Sequence, residues 1–142
     1  MILCDVNVLV YAFRRDMDEH EVARTWLDGT VNAPRSYGVS DLVSSAFLRI
    51  VTNPRIFQRP STTRKALEFV SALRERSNAM SVSPGPRHWS IFADLCRERE
   101  VRGDVIPDAW LAALAIESGS EWITTDRGFG RFPGLRWRHP FE

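Results

Sequence analysis

Cysteine is scarce in this 142-residue chain: Cys4 and Cys96 are the only two, and neither sits in a CxxC or Cys/His cluster. A disulfide framework and a zinc-ribbon site are therefore excluded, and both residues read as buried thiols. No apolar run approaches the roughly 20 residues that a membrane helix needs. The apolar N-terminal stretch is broken by Asp5 and Asn7 with no basic residue ahead of it, unlike a secretory signal, so a cytoplasmic location without membrane contact is expected. Lysine is nearly missing, Lys65 being the only one among 19 basic residues. No GxGxxG follows the first strand-like segment, which excludes a dinucleotide-binding domain. A net charge of +1 argues against a polybasic nucleic-acid binder.

What remains is an ordinary globular composition, 44% hydrophobic and 26% charged, in a length that fits one domain over residues 1–142. The near-zero net charge conceals alternating blocks. Residues 1–48 hold four basic against seven acidic side chains, 49–87 eight against two, 88–126 three against eight, and 127–142 four against one. If the acidic blocks meet in the fold they make a cation site, and the basic ones flank it where a polyanion would lie. The preference for arginine suits phosphate recognition, although codon bias in a GC-rich genome would produce it as well.

Periodicity predicts short strands separated by helices. Ile2 to Ala12 reads as a buried parallel strand whose later residues can already turn to helix, and Asp18 to Asp28 as a short amphipathic helix. Tyr37 to Val39 is a second strand, and Ser40 caps a helix that Pro54 ends. Helices follow over Thr62 to Arg76 and Pro86 to Glu100, with Ser77 to Pro86 a loop. Pro107 opens another helix that runs to Gly119. Trp122 to Thr125 and Leu135 to Trp137 are strands, with a loop over Gly128 to Gly134. This is an α/β domain with a mainly parallel central sheet flanked by helices, in which ligands bind at the carboxyl ends of the strands.

Four carboxylates fall at such ends. Asp5 lies in or just after the first strand among apolar neighbours, where a carboxylate is costly without a cation or several donors. Asp126 follows the Trp122 strand. Asp41 and Asp108 stand in first helical turns, where the helix dipole alone would account for each at about 0.3–1 kcal/mol. Together on one rim, the four would repel one another unless a divalent cation were bound. Oxygen-only donors select Mg²⁺ or Mn²⁺, and such a site can polarise a phosphodiester and activate water. His20, His88 and His139 show no partner spacing and read as surface or structural residues.

These residues resemble the PIN-domain ribonucleases, specifically the VapC toxins of bacterial toxin–antitoxin pairs. The segment Met1 to Phe13 is similar to the family's opening strand, with its first acidic residue at Asp5. Phe47-Leu48-Arg49-Ile50-Val51-Thr52-Asn53-Pro54-Arg55 is similar to a segment of one VapC branch. Pro107-Asp108-Ala109-Trp110 resembles the third acidic motif, and Thr124-Thr125-Asp126-Arg127 the fourth. The resemblance implies a PIN-like fold with Asp5, Asp41, Asp108 and Asp126 as catalytic residues, and Asp5, Asp108 and Asp126 as ligands of Mg²⁺ or Mn²⁺. It further implies endonucleolytic cleavage of structured RNA such as tRNA or a ribosomal RNA loop, a cognate VapB-type antitoxin, and a homodimer. Arg14, Arg15 and Arg127 are the candidates for RNA phosphates, alongside Arg49 and Arg55. Two positions depart from the pattern. Asp41 stands where Glu is usual, and Gly128 where many relatives carry a further Asp.

Two rivals that also start with a strand and an Asp fail on particular residues. A haloacid-dehalogenase phosphatase needs an acid where Asn7 stands and a downstream lysine, for which only Lys65 in an unrelated context is available. A response-regulator receiver lacks its lysine after a late strand. The rival of a different class is a catalytically weak protein that pairs with an antitoxin on DNA, favoured by Asp41 and Gly128.

Overall fold

The computed structural model describes all 142 residues. Five short parallel strands form one sheet in the order β3-β2-β1-β4-β5. In chain order the elements are β1 (Ile2–Cys4), α1 (Val6–Phe13), α2 (His20–Val31), β2 (Tyr37–Val39), α3 (Asp41–Val51), α4 (Thr63–Arg74) and β3 (Ala79–Ser81). Then come α5 (His88–Glu98), α6 (Ile106–Glu117), β4 (Glu121–Ile123) and β5 (Trp137–Arg138).

The long apolar segment at the N-terminus is a strand for only three residues. Asp5 turns it: its backbone is extended (φ −69°, ψ 156°) and its side chain accepts from the Val6 N–H, which caps α1. The extended reading to Ala12 is thereby corrected. Val8, Leu9, Val10 and Ala12 are all buried, because α1 packs against both α2 and α3. A helix covered on several sides is apolar all round, and periodicity then cannot separate it from a buried strand.

The loop expected over Ser77 to Pro86 also contains an element, the edge strand β3, which pairs Ala79 with Tyr37 and Ser81 with Val39. Its residues are partly buried or exposed, so no apolar alternation announces it. Gly38 beside it cannot carry a side chain without displacement, since a Cβ there would lie 2.8 Å from Val82 Cγ2. The expected loop after β4 includes a 3₁₀ turn over Arg127–Arg131, capped by Asp126.

Local signals elsewhere match the observed ends. Ser40 caps α3 by accepting from Val43 N–H, Thr62 caps α4 by accepting from Lys65 N–H, and Pro107 sits in the first turn of α6. Gly119 takes a positive φ of 67° just beyond α6, as helix ends commonly require. A single cluster of 24 buried residues runs through sheet and helices. Trp122, Phe47 and Leu3 are among its fully enclosed members, each worth about 1.5–3 kcal/mol of burial. His88 belongs to this interior, its Nε2 3.0 Å from the Trp110 carbonyl, so of the two readings the structural one holds for it. Both cysteines are free and partly buried. Burial is the main force that pushes the Cys4 thiol up to about 12, with the neighbouring Asp5 charge adding to it, which makes it an inert packing residue.

Because every strand pair is parallel, the carboxyl ends of β1, β2 and β4 share one rim. Asp5 follows β1, Ser40 and Asp41 follow β2, and Thr124 to Asp126 follow β4. The helix α6 leads back into β4 from that same rim, which puts its first turn, with Asp108, there too.

Candidate functional site

Asp5 is the buried member of the group, 6% exposed. Its Oδ1 accepts from Val6 N–H at 2.7 Å, and its Oδ2 accepts from the Thr124 hydroxyl at 2.6 Å and from Asn7 Nδ2 at 3.3 Å. Desolvation nonetheless dominates and raises its pKa to about 6. The bonds from Thr124 and Val6 pull it down, and the charges of Asp108 and Asp126 push it up. Asp108 is half-buried, and its pKa is raised first by desolvation and then by Asp126, with Arg131 opposing. Asp126 is exposed and holds its Oδ1 on the Gly128 N–H at 2.7 Å. Asp5, Asp108 and Asp126 therefore feel one another's charge.

Asp41 does not enter that circle. Its carboxylate is 76% exposed and pairs with Arg74 Nη1 at 2.8 Å. The cause lies far along the chain: α4 brings Arg74 against α3, where it also donates to Ser44 Oγ at 3.4 Å. The structure thus brings three of the four acids into one electrostatic group and directs the fourth to a neighbouring cation.

No three His, Cys, Asp or Glu side chains converge closely enough to hold a bare ion among themselves. The donor set is oxygen-only, and its carboxylates differ in burial from Asp5 to Asp126. That combination fits a hydrated Mg²⁺ or Mn²⁺, which keeps several waters beside one or two carboxylates. Asn7 Oδ1 is also buried there without a partner, an unspent acceptor beside Asp5.

The arginines separate in the same way. Arg14 is buried, with its guanidinium donating to both oxygens of Asp16 (2.9 and 2.5 Å), to the Arg59 carbonyl at 2.8 Å and to Ser61 Oγ at 3.0 Å. It also lies 3.9 Å over the Phe57 ring. Four of its five N–H donors are thus used inside the fold, which leaves Arg14 little to offer a phosphate. Arg15 is exposed and unpaired, whereas Arg127 pairs with Glu142.

Two residues without an assigned role from the sequence shape the site. Thr124 is fully buried, and its hydroxyl gathers Asp5, Asn7 and the Asp126 N–H (3.0 Å), locking the end of β4 to the end of β1. A Thr two residues before the Asp of a strand end was the available signal. Arg131, donating to the Gly128 carbonyl at 2.9 Å, is the cation nearest in effect to Asp108.

The chain has known relatives in sequence and in fold. The PIN-domain family matches residues 2–135. The chain is 44% identical to a VapC ribonuclease of Mycobacterium bovis over all 142 residues, which is 97% of that protein. It is 41% identical to ribonuclease VapC25 of Mycobacterium tuberculosis, covering 99% of each chain. Among solved structures it superposes on VapBC2 of Rickettsia felis, bound to a fragment of its promoter DNA, with a TM-score of 0.70 at 18% identity and 98% coverage of both chains. For VapC20 of Mycobacterium tuberculosis, a toxin that cleaves the sarcin-ricin loop, the TM-score is 0.64 at 16% identity, covering 96% and 99% of the two chains. With a family match along nearly its whole length and full-length relatives above 40% identity, the chain belongs to the PIN-domain family, among the VapC ribonucleases.

Proposed function

We propose that residues 1–142 act as one PIN domain, a Mg²⁺- or Mn²⁺-dependent endoribonuclease toxin that cleaves structured RNA in the cytoplasm and is neutralised by a VapB-type antitoxin. The observation that carries this reading is the trio Asp5, Asp108 and Asp126, mutually coupled by charge on the rim where a parallel sheet presents its ligand site. The ribonuclease relatives support the reaction, and the neighbouring VapBC structures support the antitoxin partner. A homodimer is part of the same proposal.

Asp5, Asp108 and Asp126 would hold the ion. When bound, it polarises the scissile phosphodiester and lowers the pKa of a water for in-line attack. Thr124 and the Val6 N–H fix the direction of the Asp5 carboxylate, and Gly128 N–H fixes Asp126. Arg131 offsets the charge of Asp108 and stands, with Arg127, on the 3₁₀ turn after β4, where an RNA phosphate would approach. Asp41, paired to Arg74, orients the start of α3 rather than touching substrate.

Purified protein incubated with total RNA and Mn²⁺ should yield discrete new 5′ ends that EDTA suppresses and Asp5→Asn removes. A second reading, a catalytically weak antitoxin partner on DNA, is favoured by the diversion of Asp41 to Arg74. It predicts instead unbroken RNA under those conditions, with the antitoxin complex still formed.

A further inference from the structure

Away from the acidic rim, an open groove of about 880 Å³ lies between the α1–α2 turn and the start of α4. Arg15, Arg24, Arg59 and Lys65 line it, with Asp16 as its one acid. We propose that this groove seats the phosphate backbone of structured RNA, a second contact remote from the site of cleavage. The inference deepens the ribonuclease reading and rests on it for the identity of the polyanion.

Charge is the first argument. Asp16 is neutralised from inside by the two-pronged bond of Arg14, whereas Arg15, Arg59 and Lys65 are exposed and enter no ion pair. Arg24 is shared with Asp28. Three free cations thus face one groove with no unpaired carboxylate among them. The arrangement is also built rather than incidental. Arg14 holds the Arg59 carbonyl and the Ser61 hydroxyl, pinning the segment before α4 against the end of α1 and so setting Arg59 beside Arg15.

Position is the second argument. The helix α1 starts directly after Asp5 and spans eight residues, about 12 Å, before reaching Arg14. The C-terminal half of α2 borders a cavity with Met1 and Ile2 at the opposite edge of the sheet, so the start of α2, beside the groove, lies on the Asp5 side. One RNA molecule can therefore reach both. The only rings in the lining are Phe13, which packs against Phe47 and Phe69, and His20, whose Nδ1 is held 3.0 Å from the Tyr11 carbonyl, and the cations around them suit backbone and shape recognition of a folded RNA better than base reading.

Binding of fluorescein-labelled unfractionated tRNA to the full chain, followed by anisotropy in EDTA over a series of salt concentrations, tests this apart from catalysis. Arg15→Ala, Arg59→Ala and Lys65→Ala combined should lower the slope of log K against log salt by about 2 to 3, with thermal melting unchanged. Arg97→Ala, on the outer surface of α5, should leave the slope as it is. A combined variant that keeps the parent slope overturns the proposal. So does one that loses binding of an oligoglutamate peptide while binding tRNA as the parent does, because the groove then serves an acidic polypeptide. If the parent cleaves no RNA in Mn²⁺ but the slope falls as stated, the nuclease reading fails and the groove assignment stands.

Discussion

Replacing Asp5 by Asn should stabilise the metal-free protein at neutral pH and abolish cleavage. The folded-state pKa of Asp5, about 6, lies above its ordinary value of 3.8. Well below pH 3.8 both folded and unfolded chains hold the proton, and the carboxyl adds no pH-dependent penalty. As pH rises the unfolded chain ionises first, so stability falls until the folded group has titrated near pH 6. A shift of about two units corresponds to about 3 kcal/mol above that pH. The amide forgoes the charge-assisted bond from Thr124, a loss of about 1 kcal/mol. A net gain of about 2 kcal/mol remains, or roughly 4–8 °C of melting temperature for a chain of this size. Thermal melts of both proteins in EDTA from pH 4 to pH 8 should diverge through pH 4–6 in favour of Asn and stay parallel above. Added Mn²⁺ should raise the melting temperature of the parent more than that of the variant. A difference that is flat with pH, or a variant less stable than the parent at pH 8, would refute the account of Asp5 as a buried, repelled carboxylate.

Thr124→Val should cost about 1–2 kcal/mol in denaturant titrations. It should also move the acid limb of the cleavage profile to higher pH, since Asp5 loses its main stabilising donor, and Thr124→Ser should restore both. Arg14→Met should lower unfolding free energy by about 2–3 kcal/mol, because the Arg59 carbonyl loses its partner; unchanged stability would show that the guanidinium network contributes nothing. Gly128→Asp places a Cβ 2.9 Å from Asp126 Oδ1 and 3.2 Å from Arg131 Nη2, and the backbone there is not left-handed. The Asp126 carboxylate should shift to admit the new side chain, and the added acid should reduce the Mn²⁺ concentration at half-maximal cleavage, whereas an equal or higher requirement would separate position 128 from the ion.

What could be read from the chain alone was whatever short stretches decide by themselves. Ser40, Thr62 and Pro107 mark helix starts through their own side chains, and Asp5, Asp108 and Asp126 stand where strand ends and helix starts were legible. The features that were not legible depend on partners distant in sequence. Nothing near Asp41 announces Arg74, 33 positions further on, and nothing near Arg14 announces the Arg59 carbonyl. The edge strand β3 exists because the main chain of β2 offers free bonding groups, not because Ala79-Met80-Ser81 favours extension. The segment after Asp5 was ambiguous for a different reason: Val6 to Phe13 is apolar enough for either state, and the cap geometry of Asp5 decides it.

That cap places a tension at the centre of the site. An N-cap carboxylate normally sits in water, where accepting one N–H is worth about 1 kcal/mol and carries little penalty. Here α1 and the end of β4 close over it, and the Thr124 hydroxyl compensates the desolvation only in part, as the raised pKa records. Asp108 and Asp126 then add repulsion, which Arg131 opposes at Asp108, while Arg14 is committed to Asp16 and Arg74 to Asp41. A chain selected for stability alone would relieve this with an amide at position 5. Keeping the charge in place favours a cation at the rim, while Arg59 and Lys65 of the basic block 49–87 lie unpaired in the separate groove. On the proposed reading, the segregation of sign that alternates along the sequence serves a site for a cation and a separate surface for the polyanion that would cross it.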